Sequence, residues 1–193
     1  AARQRAVDEA RAPLLVFVDD DVDVPPGFLE AYAAAAARHP DVAFFGGPVR
    51  LGFLAPPPVW LARGLDAVAN AYARIDLGPT ERPLRAGEVV HGVNMAFRAA
   101  ELRAHPFDEA FGLRAGEPLL GEETELQRRL VRAGRSGVWV PAASLLHRIP
   151  PQRATLESLA RYFRALGRSE ARERPPRRRA LAGAHALFRA LFE

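Results

Sequence analysis

A short acidic turn is the part of this sequence whose residue types and spacing most directly suggest chemistry. Asp19, Asp20, Asp21 and Asp23 crowd together directly after the apolar run of residues 14–18. Such carboxylates repel one another unless a cation or an arginine neutralises them. Asp19 and Asp21 are two residues apart, so an extended turn would let both reach one Mg²⁺ or Mn²⁺ ion that bridges two phosphates. A solvated loop or a helix N-cap is the alternative interpretation.

A calcium-binding loop of the EF-hand type is excluded, although the acidic spacing matches it in part. Glu30 falls at the twelfth position counted from Asp19, where that loop has its bidentate glutamate. The sixth position is Val24 instead of the required glycine, and a predicted strand stands where a helix is needed.

The elements around the turn predict an α/β domain. The uninterrupted apolar run at 14–18 is typical of a strand buried on both faces in a parallel sheet. A helix is predicted over 28–38 and a second strand over 42–45, and the order strand, acidic turn, helix, strand is that of α/β proteins. Ligands bind such sheets at the carboxyl ends of the strands, which is where the acidic turn lies.

The rest of the chain continues this alternation. The pattern predicts a loop over 52–63, strands over 89–97 and 138–140, and helices over 2–11, 61–74, 99–104, 121–133 and 154–168. Arginines and prolines at 174–179 indicate a linker, and an amphipathic helix is predicted over 180–192. This last helix would either lie on an anionic membrane or pack back on the domain.

Composition limits the classes of protein to consider. A chain of 193 residues that is 49% apolar and 26% charged is a globular protein with one domain. It has no cysteine, which excludes disulfides and thiolate ligands. All 27 basic residues are arginine, and the net charge of +4 suits a phosphorylated small substrate or an anionic membrane. Nucleic acid is not an expected partner, because no RNA-binding or helix-turn-helix signature is present.

Two further expectations concern the chain's location and extent. No run of residues has the length and apolar character of a transmembrane helix, and no signal peptide opens the sequence. We therefore expect a cytoplasmic protein, with the inner face of the membrane as the alternative location. The chain begins at Ala1 in mid-pattern, which predicts that it is part of a longer protein.

Several motifs together resemble family 2 glycosyltransferases of the GT-A fold. Phe17-Val18-Asp19-Asp20-Asp21, followed by Pro26-Gly27-Phe28-Leu29, resembles the family's DxD region. Four later segments resemble, in order, its acceptor-side segment (92–98), its usual connection (107–112), its acidic "ED" motif (121–126) and its closing segment (147–150, with Arg153 and Thr155). The motifs occur in the family's order over residues 2–170. The resemblance implies a Rossmann-like mixed sheet flanked by helices.

The sequence also departs from the family pattern. Gln4 stands where the family often has asparagine, and Glu123 replaces the commoner aspartate of the acidic motif. No Q-x-x-R-W motif is present, so the resemblance does not extend to processive polysaccharide synthases. The first βαβ unit, which holds the nucleoside in the family, would precede Arg3. We therefore expect residues 1–170 to be the C-terminal two-thirds of a GT-A catalytic domain, and 171–193 to be a basic linker and an amphipathic C-terminal helix.

The resemblance implies an inverting, metal-dependent sugar transfer from a UDP- or GDP-linked donor to a hydroxyl group of a glycan or lipid-linked acceptor, in cell-surface glycan or glycolipid synthesis. Glu123 would be the general base that takes the acceptor's proton, and Glu122 would orient a neighbour or the acceptor. The start of a helix favours the ionised form of Glu123, as a base requires. An acidic helix start without catalytic duty is the alternative.

The remaining assignments concern the metal and the donor. Asp19, Asp21 and His147 are the candidate ligands for Mn²⁺ or Mg²⁺, although a lone histidine is often structural. The candidate donor-binding residues are Arg3, Asp20, Asn94, Arg148 and Arg153. Arg148 and Arg153 would bind diphosphate oxygens by forked hydrogen bonds, or else be surface arginines. Asn94 would contact the acceptor or cap a turn.

Two other functions remain open. A catalytically inert remnant or interaction module would account for the missing nucleoside-binding unit. A nucleotidyltransferase also uses acidic turns on an α/β sheet, but it needs a glycine-rich, basic phosphate loop near its start, which this sequence does not show.

Overall fold

The computed structural model describes residues 2–108 and 120–173, with the backbone alone at 172 and 173. It is a mixed α/β structure, as the sequence predicts. The strands are β1 (Leu14–Val18), β2 (Val22–Asp23), β3 (Phe44–Gly46), β4 (Val49–Phe53), β5 (Arg82–Pro83), β6 (Asn94–Arg98), β7 (Gly137–Trp139) and β8 (Leu145–Ile149). The α-helices are α1 (Ala2–Glu9), α2 (Phe28–Arg38), α3 (Val59–Val68), α4 (Ala99–Ala104), α5 (Glu122–Arg132) and α6 (Leu156–Glu173). Short 3₁₀ helices occupy Ala69–Tyr72 and Pro151–Arg153.

The strands form two mixed sheets. One has five strands in the order β1-β6-β3-β7-β5, and the other has three in the order β2-β8-β4. The β3–β7 and β4–β8 pairs are parallel, and the other pairs are antiparallel. Because β1 belongs to one sheet and β2 to the other, the acidic turn between them lies at the junction of the two sheets.

The apolar run of β1 has a different cause from the one that the sequence indicates. The predicted parallel surroundings of this strand are wrong, because β1 pairs antiparallel with β6. Leu14 and Val16 pack against one core cluster, whereas Leu15 and Phe17 pack against another. Alternate side chains of a strand point to opposite faces. The run is therefore apolar because both faces of the sheet are covered, and not because its neighbours are parallel.

Most predicted helices agree with the structure, whereas several observed strands were not predicted. The helices over 28–38 and 99–104 are confirmed at both ends. The predicted loop over 52–63 is wrong at both ends, because β4 runs to Phe53 and α3 begins at Val59. β8 is also missed, and His147 lies within this strand instead of after it. The predicted strand over 89–97 is confirmed only for its second half, β6.

The pairing of β2 with β8 positions the acidic turn. Val22 lies opposite His147, and the amide of Arg148 donates to the carbonyl of Asp21 at 2.8 Å. This bond extends the ladder by one residue into the turn. The pairing therefore brings the acidic turn next to β8, a strand far along the chain, and Oδ1 of Asp21 lies 3.3 Å from Nε2 of His147.

Some predictions fall on residues outside the described part of the chain. These are the connection at 107–112 beyond residue 108, the arginine- and proline-rich linker at 174–179, and the helix at 180–192. Within the described residues, none of the helices combines the length and the apolar character that crossing a membrane requires.

Candidate active site

A cluster of carboxylates surrounds the side chain of Arg3 on α1. Its guanidinium lies 3.7 Å from Asp19, 3.3 Å from Glu122 and 3.7 Å from Glu123. The acidic turn and the first turn of α5 thus meet at the guanidinium of Arg3. A guanidinium beside three carboxylates offsets the repulsion between them.

Glu122 and Glu123 differ in their surroundings, although they are neighbours at the start of α5. The side chain of Glu122 is 9% exposed and that of Glu123 is 21% exposed. Oε1 of Glu122 is buried and has no hydrogen-bond partner among the described residues. Burial raises the pKa of Glu122, Arg3 lowers it, and the charge of Glu123 raises it further. Glu123 is therefore the carboxylate that is more accessible to a substrate.

Asp19 and Asp20 lie at the exposed side of the turn. The side chain of Asp19 is 46% exposed. Desolvation nevertheless raises the pKa of Asp19, while Arg3 lowers it and Asp21 raises it. The charges of His147 and Glu123 also act on the pKa of Asp19, the first lowering it and the second raising it, so these groups lie within electrostatic reach of Asp19. Asp20 is exposed to solvent.

Asp21, His147 and Arg153 form a second cluster beside the first. Oδ1 of Asp21 lies 3.3 Å from Nε2 of His147, and Oδ2 accepts from Nη1 of Arg153 at 3.5 Å. The same Nη1 lies 3.2 Å from Nε2 of His147. His147 is nearly enclosed, with 3% of its side chain exposed. The structure thus brings together Asp21, His147 and Arg153, three residues that the sequence singles out.

This second cluster fits a divalent cation in part. Oδ1 of Asp21 is buried without a hydrogen-bond partner among the described residues, although it faces the Nε2 atom. A carboxylate oxygen and an imidazole nitrogen are donors that Mn²⁺ accepts. Over residues 2–108 and 120–173, however, no three histidine or acidic side chains are grouped as a metal site. Asp21 and His147 are thus the pair best placed to hold a cation, with Asp19 close by.

One predicted donor-binding residue, Arg148, points away from this cluster. Nε of Arg148 lies 3.5 Å from Asp23, on the exposed side of β8. Arg148 and His147 are adjacent in a strand, so their side chains project to opposite faces. Arg148 therefore does not join Asp21 and Arg153 in the structure.

Asn94 is fully buried at the start of β6. Its amide donates to the carbonyls of Pro48 (3.0 Å) and Ala143 (2.8 Å), and its Oδ1 accepts from the hydroxyl of Tyr32 (2.7 Å). This side chain ties three segments together, so in the structure it neither caps a turn nor meets solvent.

Sequence reasoning missed several residues that border the cleft. A Cβ atom at Gly92 would lie 2.8 Å from Nη2 of Arg3 and 3.3 Å from Cδ of Glu123. Gly92 belongs to the motif at 92–98, but only the structure shows that its missing side chain makes room for these two groups. The position of Gly92 in a motif was the available signal.

The charge of Glu123 also raises the pKa values of His91 and Tyr162. Burial lowers the pKa of His91, while a hydrogen bond with the backbone of Ala73 and the charge of Glu123 raise it. Burial and Glu123 raise the pKa of Tyr162 to about 12, against a hydrogen bond from Asn70. No motif marks either residue. Both rings therefore lie within electrostatic reach of the carboxylate of Glu123.

A cavity of about 430 Å³ lies elsewhere, lined by residues of β4, by Leu65 of α3 and by residues 74–76. It contains none of the clustered carboxylates. The candidate site around Arg3 and Asp21 therefore lies outside this cavity.

Comparison with known proteins adds a family and a fold. The sequence model described as "Glycosyltransferase like family 2" matches residues 1–172. A solved structure of a mycobacterial protein is 21% identical, with a TM-score of 0.51, and the match covers 89% of this chain. This likeness shows the fold alone. The chain spans about half the length of that solved protein, since the match covers 50% of it. No curated protein matches the sequence.

Proposed function

The chain belongs to the glycosyltransferase-like family 2, and from this premise we propose that it transfers a sugar from a nucleotide-sugar donor to a hydroxyl acceptor. The donor is UDP- or GDP-linked, the acceptor is a glycan or a lipid-linked molecule, and the transfer inverts the anomeric centre. The observation that carries this proposal is the shared contact of Asp19 and Glu123 with Arg3, at 3.7 Å each. It supports a single cleft for the diphosphate and for the acceptor's base.

Glu123 is the proposed general base. The acceptor oxygen attacks the anomeric carbon opposite the diphosphate, the bond from that carbon to the diphosphate breaks, and the acceptor's proton passes to the carboxylate. A base of this kind contributes roughly 10²–10⁴ in rate. Glu123 suits the role better than Glu122, because its side chain is 21% exposed and that of Glu122 only 9%.

The diphosphate end of the donor belongs beside Asp21. Asp21 and His147, with Asp19 at the edge of the cleft, are the residues that would hold Mn²⁺ or Mg²⁺. When bound, the cation supplies Lewis-acid stabilisation of the charge on the leaving diphosphate. Arg153 already contacts Asp21 at 3.5 Å, and its guanidinium is placed to bind a diphosphate oxygen next to it.

Arg3 is the proposed link between the two ends of the cleft. Its positive charge keeps Asp19, Glu122 and Glu123 close together in the absence of ligand. A donor diphosphate would compete with these carboxylates for the guanidinium. Arg3 would then bind the diphosphate while Glu123 is freed to meet the acceptor.

The proposal is tested by nucleotide release. The protein is incubated with UDP-sugars and GDP-sugars in the presence of Mn²⁺, and the nucleoside diphosphate formed is measured. We expect release that chelation abolishes and that Asp21→Asn reduces by a factor of about 10² or more. Asp23→Asn is the matched control, because Asp23 contacts Arg148 instead of the cluster. If Mn²⁺ promotes neither nucleotide binding nor release, the inert-domain alternative is favoured instead.

A further inference from the structure

The 3₁₀ helix Ala69–Tyr72 contacts two of the site's side chains, although it carries no group expected to act in catalysis. The carbonyl of Tyr72 lies 2.8 Å from Nδ1 of His147, and the carbonyl of Ala71 accepts from Nη2 of Arg153 at 3.2 Å. The hydroxyl of Tyr72 donates to the carbonyl of Arg153 at 3.2 Å. Two consecutive backbone carbonyls thus hold the two partners of Asp21.

The end of the helix explains why these two carbonyls are available. The carbonyls of Ala69 and Asn70 accept from the amides of Arg74 (3.1 Å) and Ala73 (3.0 Å). The next two carbonyls have no partner within the helix, as is usual at a helix end. Ala73 has φ of 56°, and it is the only described non-glycine residue with positive φ. This left-handed turn ends the helix and leads the chain away from the exposed carbonyls.

The contact with Tyr72 determines where the proton of His147 resides. A carbonyl oxygen only accepts hydrogen bonds, so Nδ1 of His147 must carry the hydrogen. His147 is nearly enclosed, at 3% exposure, so water has little access to Nδ1. In the neutral ring, Nε2 then holds a lone pair, and this atom receives Nη1 of Arg153 at 3.2 Å. The same Nε2 atom lies 3.3 Å from Oδ1 of Asp21.

We propose that residues 69–73, here called the 69–73 segment, are a positioning element for the site. The segment holds His147 as the Nδ1-protonated tautomer, directs Nε2 toward Asp21, and holds Arg153 against the same carboxylate. A divalent cation such as Mn²⁺ is the ligand that such a carboxylate–imidazole pair would receive. Only the identity of this ligand rests on the proposed function, because the hydrogen on Nδ1 follows from the contact with the carbonyl of Tyr72.

The first test is made on the parent protein without metal or donor. The two ring nitrogens of His147 are observed by ¹⁵N NMR at about pH 8, where a free imidazole is neutral, and are assigned by their loss in His147→Gln. We expect a protonated Nδ1 and an unprotonated Nε2. A proton on Nε2 overturns the proposal. This result does not depend on sugar transfer or on metal binding.

The second test alters the segment without touching a site side chain. Ala73→Val places a β-branched residue where φ is positive, which such residues disfavour, whereas Ala73→Gly accepts this conformation. We expect Ala73→Val to lose the single tautomer and to bind Mn²⁺ about tenfold more weakly in electron paramagnetic resonance titrations. Ala73→Gly should retain both properties. A folded Ala73→Val that keeps the parent's tautomer and Mn²⁺ affinity overturns the proposal.

The two outcomes separate the inference from the proposed function. If the parent shows the expected tautomer but binds no Mn²⁺, metal dependence fails and the positioning role stands. If Ala73→Val does not fold, the tautomer of the parent still decides the matter. Tyr72→Phe then serves as the milder variant, because it removes the hydrogen bond from the Tyr72 hydroxyl to the carbonyl of Arg153. It keeps the Tyr72 carbonyl, so His147 should keep the same tautomer.

Discussion

Asp19 and Glu123 contact the same guanidinium, that of Arg3, at 3.7 Å each. One carboxylate follows β1 and the other lies in the first turn of α5, so the contact joins two distant parts of the sequence. Without a positive charge between them, the two groups would repel each other. The arrangement brings the acidic turn and the start of α5 to one site.

Replacement of Glu123 separates chemistry from binding. Glu123→Gln keeps the shape of the side chain but removes the base, so we expect turnover to fall by roughly 10²–10⁴ while donor affinity is retained. The measurement is nucleoside diphosphate release in the presence of acceptor, with donor binding followed by calorimetry. Glu125→Gln is the control from the same helix, because Glu125 pairs with Arg129 at 3.1 Å. Equal turnover in Glu123→Gln and the parent rules Glu123 out as the base.

Removal of Arg3 exposes the repulsion that it offsets. Arg3→Gln leaves Asp19, Glu122 and Glu123 without their shared cation, and we expect a loss of roughly 1–3 kcal/mol in the free energy of unfolding at neutral pH. Adding Glu122→Gln removes one of the repelling charges, so the double variant should regain part of the loss. Urea denaturation measures both values. The losses of stability in Arg3→Gln and in Glu122→Gln are then added and compared with the loss in the double variant. If the sum equals the loss in the double variant, the carboxylates do not interact through Arg3.

Gly92 provides the room in which Arg3 and Glu123 meet. A Cβ there would lie 2.8 Å from Nη2 of Arg3, so Gly92→Ala must displace the guanidinium. We expect turnover to fall at least about tenfold, because small displacements of catalytic groups are costly to the rate. The matched variant is Gly64→Ala in α3, whose Cβ meets nothing within 4 Å and which should fold at least as well as the parent. Turnover of Gly92→Ala at the parent level would place Glu123 outside the reaction.

Glu88 predicts a pH dependence of stability. Two hydrogen bonds from Arg82 (2.7 and 2.8 Å), and one from the amide of Arg85, lower the pKa of Glu88 from 4.5 to about 2. A lowered pKa in the folded state means that the ionised group stabilises the fold at pH values above 4.5. This contribution declines as the pH falls toward about 2.

The test compares the parent with Glu88→Gln by urea denaturation at several pH values. The parent should be the more stable at neutral pH, and the difference should shrink as the pH falls below about 4.5. Glu9→Gln is the control, because the side chain of Glu9 is 66% exposed and pairs with Arg5 one helical turn away. A difference that stays constant down to about pH 2 would contradict the assigned pKa direction.

Some parts of the structure follow from local patterns in the sequence. The apolar run of β1, the acidic turn after it and the helices α2, α4 and α5 are confirmed. Each depends on residues close together in the chain: propensity, apolar periodicity and a breaker at the end. The types of the site residues, which are carboxylates, a histidine and arginines, can likewise be read directly from the sequence.

Other strands escaped prediction because no local pattern marks them. β4 begins directly after the Gly-Gly-Pro stretch at 46–48, and β8 is a short stretch whose polar His147 and Arg148 resemble a loop. Their stability comes from each other, through parallel pairing over five residues from Val49 opposite Leu145 to Phe53 opposite Ile149. Partners so distant in sequence cannot be identified from either segment alone.

The sequence by itself determined which chemical groups this protein brings to its cleft, and only the tertiary structure decided which of them meet. The pairing of β2 with β8 brings that strand beside the acidic turn, where His147 contacts Asp21 and Arg148 contacts Asp23. The end of a 3₁₀ helix selects the carbonyls of Ala71 and Tyr72 as partners of Arg153 and His147. The physical reason is that every residue carries the same backbone carbonyl and amide. Which of these remain free, and what they face, depends on the packing of the whole chain.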